Sequence, residues 1–210
     1  MRYAPRPDCQ IPHLAAVYEQ HFTQAPGRFV EVGAYDGVTV SNTVFLAEAG
    51  WTGLYVEPHP EFAARCAKNH SAHPNVTVAN IAISSYVGQA ELFVIGECST
   101  LVWDKSAVDW GGNLNNKITV PVTTLDILLA NLQWEPDFEL LVIDVEQNEL
   151  KVLAGFSIWQ WQPRVVIIEA HEMDKAPERN CKAPGINEYF DRHKYRKIHT
   201  DHINSIFVRV

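Results

Sequence analysis

Phe29 to Gly37 reads Phe-Val-Glu-Val-Gly-Ala-Tyr-Asp-Gly, an apolar run that breaks at two glycines. Phe29, Val30 and Val32 suit a buried pleat, while Gly33 and Gly37 relieve the backbone where it must come close to a ligand. A second short run, Gly53 to Val56, ends at Glu57 and Pro58. Glu57 follows the turn by roughly 20 residues, the separation at which nucleotide folds place the carboxylate that accepts hydrogen bonds from a ribose diol. Two further apolar runs also end in acids: Glu139 to Ile143 in Asp144, and Arg164 to Ile168 in Glu169, with His171 just beyond. Carboxylates gathered at one sheet edge repel unless a proton or a cation joins them. Asp144, Glu169 and His171 could therefore hold a divalent ion, magnesium or manganese, that acidifies a hydroxyl group. Alternatively, His171 could take the hydroxyl proton as a general base.

The kind of cofactor follows from what the turn lacks. The Gly-x-Gly-x-x-Gly pattern of NAD sites needs a glycine at position 35, where this chain has Tyr35. Two glycines and Asp36 offer less room for a pyrophosphate than three glycines would. Asp36 at one end and Glu57 at the other suit a ligand with a positive centre and no phosphate, which describes S-adenosylmethionine better than a nicotinamide dinucleotide. The candidate pocket comprises Glu31, Gly33, Ala34, Tyr35, Asp36, Gly37, Glu57 and Pro58; Ser41 and Asn42 could cap a helix or hold the ligand. A nicotinamide-dependent oxidoreductase and a non-catalytic cofactor-binding module of the same fold are the competing readings.

The 210 residues fit one domain over 1–210 with a sizeable core, and 47% hydrophobic with 20% charged residues is a globular balance. No apolar run reaches the ~18 residues of a membrane span, and Met1 to Asp8 carries no apolar leader, so the cytoplasm is the expected compartment. Cys9, Cys66, Cys98 and Cys181 are scattered without a Cys-x-x-Cys pair, which points to thiols rather than a zinc site or a disulfide framework. A net charge of −8 argues against a protein whose main task is gripping a phosphate backbone. Arg192 to Lys197, the densest basic cluster, reads as a solvated helix end.

The elements that must position these residues follow from periodicity. Ile11 to Phe22 is an amphipathic helix, the run from Val44 is a helix stopped at Gly50, and Pro60 to Asn69 is a helix with proline in its first turn. Asn75 to Ile83 reads as a third strand, Ala90 to Ile95 as a half-buried one that Glu97 to Trp103 continues. Asp104 to Asn116 reads as a long loop over the acceptor. Lys117 to Thr123 is a strand, Thr124 caps a helix, Glu139 to Val145 is the central strand, and Glu146 to Phe156 is a helix with Leu150, Leu153 and Phe156 inward. Glu146 and Glu149 are weaker site candidates, since acids at a helix start also offset the macrodipole. His59, His199 and His202 read as surface residues. Arg164 to Ala170, a helix over Gly185 to His193, and a hairpin of Tyr195 to Thr200 with Ser205 to Val210 complete an α/β fold, a mostly parallel sheet with helices on both faces.

Taken in order, these stretches resemble the FkbM family of S-adenosylmethionine-dependent methyltransferases. The family's Asp/Glu-Val-Gly-x-x-Asp-Gly, Ser-Asn-Thr, Gly-Trp-x-Gly and Glu-Pro appear as Glu31 to Gly37, Ser41 to Thr43, Gly50 to Gly53 and Glu57-Pro58. Its Thr-Leu-Asp and Asp-Val-Glu-Gly-x-Glu appear as Thr124 to Asp126 and Asp144 to Glu149, with Gln147 in place of the glycine. The resemblance implies a Rossmann-like seven-stranded methyltransferase sheet with an antiparallel C-terminal hairpin. It also implies that the Gly33 to Gly37 loop wraps the methionine part of S-adenosylmethionine and that Glu57 takes the ribose hydroxyls. Family members are mostly O-methyltransferases of sugars and secondary metabolites, so a small-molecule or glycan acceptor is expected.

Overall fold

The structure, a computed structural model, describes residues 5–7, 9–11, 13–23, 25–170 and 183–210. His171 and Cys181 lie outside the described residues. In chain order the elements are α1 (Leu14–His21), β1 (Arg28–Val32), α2 (Val44–Glu48), β2 (Thr52–Val56), α3 (Pro60–Asn69), β3 (Val76–Ala79), β4 (Ala82–Ile83) and β5 (Gly88–Phe93). There follow α4 (Lys105–Asp109), β6 (Lys117–Thr123), α5 (Leu125–Asn131), β7 (Leu140–Ile143), α6 (Glu149–Ala154) and α7 (Ile158–Trp161). The chain closes with β8 (Val165–Glu169), α8 (Ala183–Arg192), β9 (Tyr195–Thr200) and β10 (Asn204–Arg209).

Seven strands form one sheet in the order β3-β2-β1-β7-β8-β10-β9. The neighbours from β3 to β8 pair in parallel, and β10 runs antiparallel between β8 and β9, as expected of the terminal hairpin. The chain winds outward through β1, β2 and β3, then crosses back to lay β7 on the free side of β1. That reversal opens a crevice at the strand ends between β1 and β7, where open α/β sheets bind ligands. Every residue of β7 and β8 is buried, each apolar side chain contributing roughly 1.5–3 kcal/mol relative to exposure, so Asp144 and Glu169 stand on firm supports.

Alternation along β1 sends Val30 and Val32 to a core shared with Leu125, Leu153, Ile186 and Phe190 of α5, α6 and α8. Phe29 points to the opposite core, with Leu14 and Tyr18 of α1, Leu46 of α2 and Cys66 of α3. Helices thus cover both faces.

Five readings of the chain need correction. The stretch Asn75 to Ile83 is two strands, because the Asn80 side chain turns back to donate to the Glu57 and Pro58 carbonyls and the chain leaves the main sheet. β4 instead joins β5 and β6 in a separate three-stranded sheet. Glu97 to Trp103 does not continue β5: the chain reverses at Gly96 (φ +67°), and Phe93 and Thr100 exchange backbone hydrogen bonds. Asp104 to Asn116 contains the short helix α4, and none of its described side chains lines the cavity described below. Glu146 (φ +50°) and Gln147 (φ +79°) are left-handed, so α6 starts only at Glu149, and Leu150 faces outward, 41% exposed.

Candidate active site

The glycine turn after β1 is built from backbone bonds to its neighbours. Gly33 and Ala34 N–H groups donate to the Val56 carbonyl at 2.9 and 3.1 Å, and the Asp144 N–H donates to the Val32 carbonyl at 2.9 Å. Gly33 (φ +88°) sits so close to the β7 end that a Cβ there would stand 1.6 Å from the Asp144 carbonyl oxygen. Only glycine lets the two strand ends close up in this way. Tyr35 occupies the position where a dinucleotide loop has glycine, and it holds a glycine-like backbone, φ +50°. Its N–H donates to Glu57 Oε2 at 2.9 Å, and its ring meets the edge of Phe62. Asp36 is structural. Burial raises its carboxyl, but bonds from the Thr39 and Val38 N–H groups and the Thr39 hydroxyl outweigh that and hold it below the ordinary range.

A cavity of about 520 Å³, counting its open mouth, lies across the strand ends. Of the expected cofactor residues, Gly33, Tyr35, Glu57 and Pro58 line it, and Asp144 lines its other side. Glu57 is 5% exposed, with Oε1 accepting from the His59 N–H at 2.8 Å. Burial pushes its carboxyl up to about 7, against the pull of the His59 and Tyr35 N–H bonds. No lysine, arginine or histidine among the described residues lines the cavity, so a ligand's hydroxyl donors are what would relieve this carboxylate. His59 is not on the surface: it is 8% exposed and stacked on Phe62 at 4.1 Å.

Asp144, Glu146 and Glu169 bring carboxylate oxygens within 4.8 Å of one another. Glu146, the weaker candidate from sequence, belongs to this cluster, and the left-handed backbone at Glu146 and Gln147 is what keeps it beside Asp144 rather than on α6. Burial first, then repulsion from Glu169, Asp144 and Glu149, pushes the Glu146 carboxyl up to about 9. Gln147, where the family pattern has glycine, sits at φ +79°, a conformation that costs a side-chain-bearing residue roughly 1–2 kcal/mol. The pattern's glycine thus has a backbone explanation. Glu149 is buried and caps the turn, its Oε1 accepting from the Gln147 N–H at 3.1 Å.

The segment over the cavity is the reversal after β5: Gly96, Glu97, Ser99 and Leu101 all line it. The Thr100 hydroxyl donates to the Glu146 carbonyl, fastening this flap to the acid cluster. Its sequence signal is Gly96, the glycine between the runs Ala90 to Ile95 and Glu97 to Trp103.

Glu31, Ser41 and Asn42 do not line the cavity. Glu31 follows Phe29 onto the far face of β1, where its Oε2 accepts from the Ser41 and Thr43 hydroxyls. Ser41 Oγ in turn accepts from the Thr43 and Val44 N–H groups at the start of α2. Asn42 is buried against the N-terminal stretch. Ala34 and Gly37 shape the turn from behind; the Gly37 carbonyl is bonded to His70 Nε2 at 2.9 Å.

The profile of the methyltransferase FkbM domain matches residues 31–197. The chain belongs to the FkbM methyltransferase family. It is an S-adenosylmethionine-dependent methyltransferase, which sets aside the nicotinamide reading. Curated proteins offer no sequence match. Among solved structures, a putative rRNA-methylase from Clostridium thermocellum is 6% identical, covers 98% of each chain and has a TM-score of 0.54. The O-methyltransferase TomG from Streptomyces achromogenes, involved in tomaymycin synthesis and solved with S-adenosylmethionine, is 13% identical, with 99% of this chain and 82% of that chain covered and a TM-score of 0.51. At these identities the likeness shows a shared fold. In this FkbM-family enzyme no helix among the described residues is long and apolar enough to cross a membrane.

Proposed function

We propose that this enzyme transfers the methyl group of S-adenosylmethionine to a hydroxyl oxygen of a sugar, glycan or small secondary metabolite. The observation that carries the reading is the convergence of Asp144, Glu146 and Glu169 beside the cavity that Glu57 and the glycine turn also line. Glu57, held by two backbone N–H groups, faces the cofactor's ribose, and the turn around Gly33 and Tyr35 receives its methionine part. The bound cofactor supplies an electrophilic methyl carbon on a sulfonium. The protein's own tasks are to align the hydroxyl with that carbon and to remove its proton. Asp144 lies at the crevice between β1 and β7 and accepts the hydroxyl proton, while Glu146, pushed up to about 9, stays protonated and relieves the repulsion in the cluster.

A divalent magnesium or manganese ion is a second reading, favoured by the same 4.8 Å cluster. Asp144, Glu146 and Glu169 would hold it and His171, outside the described residues, could add a ligand; without a metal, His171 is the alternative to Asp144 as the base.

The test is transfer of a labelled methyl group from S-adenosylmethionine to a panel of hydroxyl-bearing sugars and metabolites. Asp144→Asn is expected to lower kcat at least 100-fold with cofactor affinity within about threefold of wild type. Loss of turnover in EDTA, restored by magnesium or manganese, would select the metal reading. Wild-type turnover by Asp144→Asn would remove Asp144 from the chemistry.

A further inference from the structure

The family-matched segment begins at residue 31, yet one side chain from outside it reaches the acid cluster. Gln10 Nε2 donates to Asp144 Oδ2 at 3.3 Å, and Gln10 Oε1 accepts from Asn42 Nδ2 at 2.8 Å. Asn42 Oδ1 in turn accepts from the Cys9 thiol at 3.6 Å. The two bonds of Gln10 have a fixed direction. A carboxylate only accepts, so Gln10 must turn its NH₂ to Asp144. Its carbonyl oxygen then takes a donor, the Asn42 NH₂, and the Asn42 oxygen faces the Cys9 thiol, whose single S–H lies equally near the Ile11 carbonyl at 3.6 Å.

The relay is anchored at both ends. Asn42 is 2% exposed, and its backbone carbonyl accepts from the Tyr18 hydroxyl at 3.1 Å. Ile11, Leu14 and Tyr18 are fully buried in the core on that face of the sheet, and Arg6 pairs with Glu48 of α2. Gln10 is thus presented to Asp144 by a docked arm. A donor–acceptor separation of 3.3 Å is long for a bond to a carboxylate, as is common for groups that tighten when a ligand arrives.

We propose that Gln10 is a positioning residue for Asp144, so that the arm ahead of the family-matched segment completes the active site. The arm ties down one carboxylate oxygen of Asp144 and leaves the side chain only its remaining freedom to meet the reacting group. This inference rests on the reading of Asp144 as the group beside the transferred methyl.

Two cofactor analogues separate positioning from mere stability. Sinefungin carries a protonated amine where the methyl-sulfonium stands, so it reads the carboxylate at that point, whereas S-adenosylhomocysteine has no group there. Calorimetry on wild type, Gln10→Met, Asp144→Asn and the double variant gives the ratio of the two affinities. The expected result is a three- to tenfold loss of preference for sinefungin in Gln10→Met, with S-adenosylhomocysteine affinity unchanged. A larger loss is expected in Asp144→Asn, and none beyond it in the double variant. Gln10→Ala removes the same donor without a bulky replacement and should repeat the result if methionine disturbs the arm. A normal ratio in Gln10→Met and Gln10→Ala alongside an altered one in Asp144→Asn overturns the role of Gln10 and leaves Asp144 in place. Equal weakening of both analogues shows an arm that only stabilises the fold and likewise overturns it. An unchanged ratio in Asp144→Asn sinks the placement of Asp144 itself.

Discussion

Glu31 and Glu57 sit at the ends of the same reading, one before the glycine turn and one at the end of β2, and burial pushes both carboxyls up to about 7. Their roles differ because a strand alternates faces. Glu57 lies past the end of β2 on the cavity wall. Glu31 lies inside β1, and the alternation Phe29, Glu31 against Val30, Val32 sends it to the far core, where two hydroxyls donate to it. That alternation was present in the sequence, but nearness to the glycines outweighed it. The raised value makes Glu31 a pH-dependent burden. Its folded value lies above the ordinary 4.5, so the stabilisation from its bound proton is full below 4.5 and lost as pH rises to about 7. Glu31→Gln should keep the hydroxyl contacts and escape this loss. Its stability relative to wild type should grow between pH 4.5 and 7 by up to about 3 kcal/mol, at about 1.4 kcal/mol per pH unit. Chemical denaturation across that range gives the answer, and a difference that stays constant with pH would show that Glu31 does not titrate there.

At the scale of elements, the parallel strands and the helices between them were readable because their apolar periods are long and unbroken: β7 and β8 show no polar residue until their terminal acids, and α3 begins at Pro60 as its proline suggests. The small sheet of β4, β5 and β6 was not, because nothing local says that Asn80 turns the chain out of the main sheet. Nor does local sequence tell a bend from a reversal at Gly96. That reversal brings the flap of Gly96, Glu97, Ser99 and Leu101 over the cavity. Thr100 is the fastening, 1% exposed, with its hydroxyl on the Glu146 carbonyl and accepting from the Val102 N–H. Thr100→Val removes both contacts. Since a net hydrogen bond is worth about 0.5–1.5 kcal/mol, amide exchange over 93–103 should quicken by up to about tenfold per bond lost, while β1 and β7 keep their protection. Unaltered exchange in the flap would mean that the Phe93 and Thr100 backbone pairing alone holds it.

Across the whole molecule, the winding of the sheet decides where chemistry can occur. Because β7 crosses back beside β1, residues more than a hundred positions apart, Gly33 and Asp144, meet at one crevice, and Glu57 and Glu169 flank it from β2 and β8. The strand-end acids were legible as a group for this reason. The contribution of Gln10 was not, since a lone glutamine in a proline-rich lead carries no periodic signal. An S-adenosylmethionine site on this edge makes a direct demand of Glu57: its charge-assisted bonds to the ribose should be lost in Glu57→Ala. Calorimetry with S-adenosylhomocysteine should show that variant, folded as judged by its melting curve, binding about 1–3 kcal/mol more weakly than wild type. Wild-type binding should also release a proton between pH 5 and 7, since the diol favours the ionised carboxylate that burial disfavours in the empty cavity. Undiminished affinity in a folded Glu57→Ala protein, with the same proton release, would contradict the site.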